Sequence, residues 1–267
     1  MPKTVRDDLQ RDVTFRFPPR RIVCLCPSLT ETLFALGLDR QVIGRTSYCI
    51  HPAQRVQSVT VVGGTRDVDS DRVRALRPDL IIAAKEENPQ QVVQLLADAL
   101  PVFVCNVADY DSALRAITSL GNLTDRVQQA AAVVRRIRTA FAQLRPNATH
   151  RVAYLIWREP YMAAGRGTYI DALLEKCGLK NVCKGLSGRY PEITIELLRQ
   201  LRPTWILLSS EPFPFNESHF GELASQIPAA RVVRVDGEMF SWYGSRMLAA
   251  AEYLRRLIRR LDAPRNL

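Results

Sequence analysis

The sequence contains no apolar run of about 20 residues, so we expect no membrane-spanning helix. Its first twenty residues also lack the roughly 7 to 15 consecutive apolar residues of a secretory signal. We therefore expect a cytoplasmic location for the chain as written, or a periplasmic or surface-anchored one if a leader has been removed. No low-complexity segment is present, and the 47% hydrophobic and 24% charged content is typical of globular proteins.

Motifs that would indicate a metal or catalytic centre are also missing. The six cysteines form no Cys-x-x-Cys pair and several stand in apolar runs, which favours reduced core thiols over disulfides or a metal site. The three histidines are too far apart in the sequence to indicate a metal cluster. The run beginning at Gly165 lacks the third glycine of a dinucleotide fingerprint, so Thr168 with Asp171 is interpreted as a helix start. No nucleophile with a neighbouring base is recognisable, and we expect no enzymatic activity.

The formal net charge of +10 raises the question of a nucleic-acid partner. The arginines are scattered along helical segments and alternate with apolar positions, as in Arg255, Arg256, Arg259 and Arg260. This spacing is typical of solvated helix faces. We therefore expect no nucleic acid as a partner. We also expect a monomer.

Short apolar runs alternate with helical patterns along the whole chain. Strands are predicted at about residues 21–26, 42–44, 80–84, 102–104 and 152–157. Ser28 and Glu31 have the spacing of a capping box, which predicts a helix that ends at Gly37. The apolar positions from Thr124 to Leu144 form one amphipathic face, and such a helix would be about 32 Å long. Strands that alternate with helices predict parallel sheets covered on both faces.

The chain repeats part of itself. Residues 74–89 match residues 199–214 without a gap, at an offset of 199 − 74 = 125 residues. The repeat indicates two related lobes, although any two helix-turn-strand units of an α/β protein look somewhat alike. We predict an α/β fold with two Rossmann-like lobes that have central parallel sheets and are joined by one long backbone helix. The predicted parts are an N-terminal extension at 1–20, an N-terminal lobe at 21–120, the long connecting helix at 121–146 and a C-terminal lobe at 147–267.

Two carboxylates upstream of the repeat share its offset, because Asp71 lies 125 residues before Glu196. Each lies near a predicted helix N-terminus, where the helix dipole favours negative charge. Capping explains either residue alone. A matched pair is better explained by a partner that offers two equivalent basic contacts.

The segments RIVCLCPSLTETLFALGL, SYCIHP and RPDLII, together with the long helix, resemble the substrate-binding proteins of bacterial ABC importers for cobalamin and ferric siderophores. The resemblance covers about residues 20 to 262. It implies two Rossmann-like lobes bridged by a rigid helix, a ligand in a shallow cleft at the lobe interface, and little movement on binding.

The resemblance also implies the residues of the binding site. In the SYCIHP loop it implies that Tyr48 is an aromatic residue facing the ligand. It implies that the loop after Trp157 forms a second wall of the site and that the segment from Asp236 to Arg246 closes the cleft. Cobalamin receptors of the family have tryptophan where this chain has Thr65 and Ala84. The predicted ligand-binding residues are Tyr48, His51, Thr65, Trp157, Arg158, Tyr161, Glu211, Trp242, Tyr243 and Arg246.

Several of these residues have an alternative explanation. Trp157 either contacts the ligand or packs the lobe interface, and His51 is either an axial metal ligand or a solvated loop residue. Arg158 and Arg246 pair either with the ligand or with the nearby Glu159 and Glu238. Glu211 either faces the cleft or caps the following turn.

The resemblance predicts a binding protein for a corrinoid or a related metal chelate, such as a cobalamin-like compound, a siderophore or haem. It would deliver this ligand to an ABC importer, with Asp71 and Glu196 docking onto the permease, and would need no covalently bound cofactor or metal of its own. The alternative is a cytoplasmic enzyme, or a protein that handles or senses a metal chelate, built on the same scaffold.

Overall fold

The computed structural model describes residues 1–144 and 150–263, which divide into two compact units. Unit 1 comprises Met1–Val107, Asp111–Arg136 and Tyr243–Arg246, and unit 2 comprises Ala108–Tyr110, Ile137–Trp242 and Met247–Leu267. Each unit has its own predominantly parallel sheet with helices around it, which confirms the predicted fold class.

Unit 1 contains seven strands in its described residues. They are β1 (Pro2–Arg6), β2 (Asp12–Arg16), β3 (Ile22–Cys24), β4 (Val42–Arg45), β5 (Thr60–Val61), β6 (Leu80–Ala84) and β7 (Val102–Cys105). Its helices are α1 (Pro27–Ala35), α2 (Ala53–Val56), α3 (Ser70–Ala75), α4 (Gln90–Ala97) and most of α5 (Tyr110–Thr124), with a 3₁₀ turn at Gly244–Arg246. Helix α6 (Val127–Ala142) contributes residues to both units.

The remaining elements belong to unit 2. Its strands are β8 (Arg151–Trp157), β9 (Met162–Ala163), β10 (Lys180–Asn181), β11 (Trp205–Ser209) and β12 (Arg231–Val235). Its helices are α7 (Tyr169–Lys176), α8 (Ile195–Leu201), α9 (Glu217–Gln226), α10 (Glu238–Ser241) and α11 (Met247–Asp262). Thr168 caps α7 by accepting a hydrogen bond from the Asp171 N–H, as the sequence predicted.

The main sheet of unit 1 has the order β5-β4-β3-β6-β7 with every pair parallel. Counted along the chain this is the order 3-2-1-4-5 of a Rossmann sheet, and the strand order reverses between β3 and β6. Such a reversal opens a crevice at the carboxyl ends of the strands, where open α/β sheets bind ligands. In unit 2 the parallel order is β10-β8-β11-β12, and β9 pairs antiparallel with β8.

The predicted N-terminal extension folds as a hairpin of β1 and β2 whose turn covers one edge of the unit 1 sheet. The Asp8 N–H donates to the Val104 carbonyl at 3.1 Å, and the Asp8 carboxylate accepts from the Asn106 N–H at 2.8 Å. Asp7 is buried and accepts two hydrogen bonds from the Arg11 guanidinium at 2.9 and 2.6 Å. The edge strand β7 is therefore not open to another chain.

The capping box predicted at Ser28 and Glu31 is wrong. Helix α1 begins two residues earlier than predicted, at Pro27 after the N-cap Cys26, which makes no side-chain cap bond. Proline suits this first helical position because the N–H that it lacks would have no partner within the helix. Glu31 instead accepts hydrogen bonds from Arg246.

The long connecting helix differs from the prediction. Helix α5 ends at Thr124, Asp125 has a φ of 60°, and α6 then spans Val127–Ala142, or about 24 Å. The Thr124 hydroxyl donates to the Leu120 carbonyl at 2.6 Å, which satisfies part of the helix end. Apolar spacing continues on both sides of the break, so the sequence carries no signal for it. Residues 145 and 146 of the predicted helix lie outside the described residues.

The internal repeat is confirmed in three dimensions. Strands β6 and β11 begin and end at the same offset of 125 residues, at 80–84 and 205–209. The residues that cap the preceding helices, Asp69 and Thr194, share this offset. Arg77 and Arg202 also share it, and both have left-handed backbones with φ of 45° and 47°.

The same hydrogen bonds hold the two copies. Arg21 in unit 1 donates to the Leu76 carbonyl at 2.6 Å, and Arg151 in unit 2 donates to the Leu201 carbonyl at 2.6 Å. These carbonyls lie at the ends of α3 and α8, where a helix leaves its last acceptors unused. The two units therefore share a framework as well as a sequence pattern.

The predicted core residues are buried. All six cysteines are buried and unbridged, and burial raises the pKa of Cys24, Cys177 and Cys183 to about 12. Trp205 is 4% exposed within β11, as its position in a predicted strand implied. Within residues 1–144 and 150–263, no helix combines the length and the apolar character that crossing a bilayer requires.

Candidate functional site

The loop after β4 presents an exposed aromatic side chain. Tyr48 is 61% exposed, and the Ser47 N–H bonds to the Gly63 carbonyl at 2.8 Å. A Cβ built on Gly64 would lie 3.3 Å from Cε2 of the Tyr48 ring, so glycine allows the ring to lie against this backbone. His51 is half-buried in the same loop, and the described residues contain no group of three potential metal-ligating side chains.

A single buried side chain, Asn88, holds the loops at the carboxyl edge of unit 1. Its amide oxygen accepts from the Ala84 N–H at 2.9 Å, and its amide nitrogen donates to the carbonyls of Leu25 at 3.0 Å and Thr65 at 2.9 Å. The loops after β3, β5 and β6 are therefore fixed at the point where the strand order reverses. Thr65 is 9% exposed. The sequence prediction missed Asn88, although its place just after a buried strand was a usable signal.

Tyr243 and Arg246 lie in unit 1, where both already have protein partners. The Tyr243 hydroxyl is 3.3 Å from the Cys26 sulfur, and burial raises the pKa of this tyrosine well above its ordinary value. Arg246 donates two hydrogen bonds to the Glu31 carboxylate, at 2.8 and 3.0 Å. The side chains of this ion pair are 10% and 20% exposed, so the pair fixes the 3₁₀ turn to α1.

Unit 2 presents its exposed aromatic ring at the end of β8. Trp157 is 40% exposed, and its ring contacts Phe213 edge-on with centroids 5.7 Å apart. Phe213 also packs against Phe215 and His219, at 4.7 and 5.4 Å between ring centroids. The exposed ring therefore rests on an aromatic cluster rather than on a flexible loop alone.

Next to Trp157, the residues Arg158, Tyr161 and Glu222 form a polar cluster. Arg158 bonds to Glu222 at 2.8 Å and to Glu159 at 2.9 Å. The ion pair with Glu159 is the one that the sequence offered as an alternative to ligand contact, whereas nothing in the sequence indicated Glu222. The Tyr161 hydroxyl donates to Glu222 at 3.0 Å, and burial raises the pKa of Tyr161. The cluster holds the β8–β9 loop against α9.

Glu211 follows β11 and is bonded within unit 2. Its carboxylate accepts from the Ser241 hydroxyl at 2.7 Å and from the Trp242 indole N–H at 3.2 Å. Burial raises the pKa of Glu211, and Trp242 is only 8% exposed. The pair ties the loop after β11 to the short helix α10.

The two carboxylates that share the repeat offset are exposed in the first turns of α3 and α8. The Asp71 side chain is 94% exposed and forms a surface ion pair with Arg74 at 3.0 Å. The pKa of Glu196 is lowered by hydrogen bonds from its own backbone N–H and from the Thr194 hydroxyl. Both groups are available to solvent at equivalent positions of the two repeats.

Two α/β units that each present an exposed aromatic ring at the carboxyl edge of the sheet have the form of a binding protein. The chain belongs to the periplasmic binding protein family, whose model matches residues 22–231. The expected resemblance to importer-associated binding proteins is therefore confirmed, and the family is one of binding proteins, not enzymes.

Curated and solved relatives agree with this membership. A vitamin B12-binding protein of Pectobacterium carotovorum subsp. carotovorum (strain PC1) is 23% identical over 244 residues, which cover 88% of this chain and 87% of that protein. The periplasmic vitamin B12 binding protein of Vibrio cholerae has a TM-score of 0.79 at 21% identity, covering 93% of this chain and 100% of its own. A periplasmic haem binding protein of Pseudomonas aeruginosa has a TM-score of 0.75 at 23% identity, covering 92% and 95%.

The family membership corrects the expected location. The cytoplasmic placement inferred from the first residues is wrong, because the matching family is that of periplasmic binding proteins. The alternative of a cytoplasmic enzyme on this scaffold finds no support in these relatives.

Proposed function

We propose that this protein binds a corrinoid or a related metal chelate, such as a siderophore or haem, and delivers it to an ABC importer. The observation that carries the proposal is the pair of exposed aromatic rings, Tyr48 in unit 1 and Trp157 in unit 2. A flat ring on a firmly held loop offers a large apolar contact area at low entropic cost, which suits a macrocyclic or aromatic ligand. The vitamin B12- and haem-binding relatives support the same class of ligand.

We assign two roles to the predicted site residues. Tyr48, His51 and Thr65 of unit 1, and Trp157, Arg158 and Tyr161 of unit 2, would contact the ligand. Glu211 and Trp242, and in unit 1 Tyr243 and Arg246, would hold the loops in place, since they are bonded to protein partners and lie deeper. Trp242 and Tyr243 are 8% and 7% exposed and the Arg246 side chain is 10% exposed, whereas that of Arg158 is 27% exposed. The chelate is cargo in this proposal, and no covalent cofactor is required.

We also propose that Asp71 and Glu196 dock onto the importer permease. Exposed carboxylates at two equivalent positions suit a partner with two arginines, and charge-assisted hydrogen bonds of this kind fix orientation. Neither carboxylate is committed to a buried partner within the described residues.

Titration with cobalamin, cobinamide, haem and a ferric siderophore tests the proposal. Binding is followed by the absorption spectrum of the ligand for every variant, and also by tryptophan fluorescence for the wild type. At least one ligand should quench the emission of Trp157. Tyr48→Ala and Trp157→Ala should each lower the affinity for that ligand by about tenfold, because each removes an aromatic contact worth roughly 1.4 kcal/mol. Leu95→Ala is the matched control, since Leu95 is 48% exposed on α4 and lies outside the proposed site. No response to any of the four ligands would overturn the assignment.

A further inference from the structure

The outer edge of strand β2 is open. In the hairpin, backbone hydrogen bonds join Met1 to Phe17 at one end and Asp7 to Arg11 at the other. In an antiparallel pair of strands, only every second facing pair of residues is hydrogen bonded. Between these two ends, the bonded pairs are therefore Lys3 with Phe15 and Val5 with Val13. The backbone groups of Asp12, Thr14 and Arg16 consequently point away from β1. No backbone bond of these three residues to another part of the described chain exists. All three side chains are exposed.

Two neighbouring edges are less suited to pairing. The outward residues of β1 are Pro2, Thr4 and Arg6, and Pro2 has no N–H to donate. Two copies of β1 centred on Thr4 would also place Pro2 opposite Arg6, without a charge pair. The edge of β7 is covered by the hairpin turn. Beside β2 lies a groove of about 500 Å³. One wall is formed by Asp12 and Thr14, and the other by Ala97 and Leu100. Within the described residues, the β2 edge therefore offers three outward residues that each have both backbone groups free, with a groove beside them.

The side chains along this edge are complementary to themselves. When two copies of β2 lie antiparallel and centred on Thr14, Asp12 of each copy faces Arg16 of the other. The three outward residues then form hydrogen-bonded pairs, with about six backbone hydrogen bonds in total. Opposite charges directly across two strands stabilise the pair, whereas like charges destabilise it.

The contacts already present in the hairpin would continue across this junction. The Thr4 and Thr14 hydroxyls are 2.8 Å apart, and Arg6 bonds to Asp12 at 3.2 Å. In the paired arrangement these become a central row of four threonines, flanked on each side by a row of arginine, aspartate, arginine and proline. A register shifted by two residues would lose both Asp12–Arg16 pairs, and one shifted by four would place like charges opposite each other. An odd shift would move Val13 and Phe15 from the buried face to the exposed one.

We propose that β2 is a self-association surface, through which a second copy of this chain adds its own β2 to form a four-stranded antiparallel sheet. The association is expected to be weak, with a dissociation constant on the order of 0.1 mM, since two short strands bury less than the roughly 1,200 Å² of a stable interface. The proposal is independent of the ligand and replaces the expectation of a strict monomer at high concentration.

Sedimentation equilibrium of the whole chain between about 10 μM and 1 mM at low salt tests the proposal. The wild-type protein should approach a dimer across this range. Arg16→Asp and Asp12→Arg should each weaken self-association at least tenfold, because each places two like-charged pairs across the junction. A mixture of the two variants should associate at least as tightly as the wild type, because every facing pair in the mixed dimer is again opposite in charge.

Arg40→Asp is the matched control, since it makes the same change in net charge at another exposed position of unit 1. It should leave self-association unchanged within about twofold, and circular dichroism should show that all variants are folded. A wild-type protein that stays monomeric throughout would overturn the proposal. So would an Arg16→Asp variant that dimerises as well as the wild type, or a mixture that associates no better than either variant alone.

Discussion

The loop after β6 in unit 1 and the loop after β11 in unit 2 follow the same helix-turn-strand unit but are held by different interactions. Both follow five buried strand residues at an offset of 125. At the offset position where unit 1 has the buried amide of Asn88, unit 2 has Phe213. Asn88 joins three loops through hydrogen bonds, whereas Phe213 packs against other rings.

The difference shows how a repeated framework serves two surfaces. The hydrogen bonds of Asn88 fix the backbone around Thr65. Aromatic packing around Phe213 instead supports a large exposed ring, Trp157. The two units share the helix caps and the arginine contacts to the helix ends, because both contain the same helix-turn-strand unit. The loops that follow the strands differ.

The largest expected effect comes from the residue that holds the loops. Asn88→Ala should lower the free energy of unfolding by about 2–4 kcal/mol, because it leaves a buried N–H and two carbonyls without partners. Phe213→Ala should cost about 1–2 kcal/mol, since this ring is only half-buried. Denaturant unfolding measures both.

Gln94→Ala is the control for the amide, because Gln94 bonds to Asp98 on an exposed face. It should change the unfolding free energy by less than about 0.5 kcal/mol. Equal losses for Asn88→Ala and Phe213→Ala would contradict the distinction between the two loops.

The next effect concerns the two equivalent carboxylates. Asp71→Arg and Glu196→Arg should each weaken binding to the permease by about tenfold, through repulsion of its basic contacts, and leave chelate affinity unchanged. Binding to the importer reconstituted in lipid discs measures this. Asp98→Arg provides a matched reversal at another exposed site. Two reversals with no more effect than that control would refute equivalent docking.

A smaller effect is expected from the pH dependence of unit 2. Burial raises the pKa of Glu211 above its ordinary value of 4.5, so the folded chain retains a proton that the unfolded chain releases. The unfolding free energy should therefore fall as pH rises through the window that begins near 4.5, by less than about 1.4 kcal/mol per pH unit.

Glu211→Gln should remove this dependence, as measured by denaturation at a series of pH values. Trp242→Phe should move the window to higher pH, because the indole hydrogen bond lowers the pKa of Glu211. A Glu211→Gln curve parallel to that of the wild type would show that another group is responsible.

The smallest effect tests the symmetry of the framework. Arg77→Gly and Arg202→Gly should each stabilise the protein by about 0.5 kcal/mol, because glycine removes the strain of a left-handed backbone but gains entropy when unfolded. Thermal unfolding should give nearly equal shifts for both variants. Opposite signs at the two positions would break the equivalence.

The sequence alone determined the two-unit parallel α/β fold, because periodicity, turn residues and the gapless repeat are local signals that burial reinforces. It predicted β6 to the residue and the repeated unit at 125 residues. It also singled out the exposed Tyr48 and Trp157, and the resemblance in the segments RIVCLCPSLTETLFALGL, SYCIHP and RPDLII and in the long helix led to the correct family. It did not locate the break between α5 and α6, since apolar spacing continues across Asp125 in both helices.

Only the tertiary structure decided how the side chains pair. The decisive contacts join residues that are distant along the chain, as in Arg246 with Glu31 and Glu211 with Trp242. Others join a side chain to backbone atoms, as in Asn88 with its three loops. The fold of the first seventeen residues was likewise decided by a sheet edge formed about ninety residues later. Such contacts depend on which backbones end at the same edge, and no local pattern encodes that.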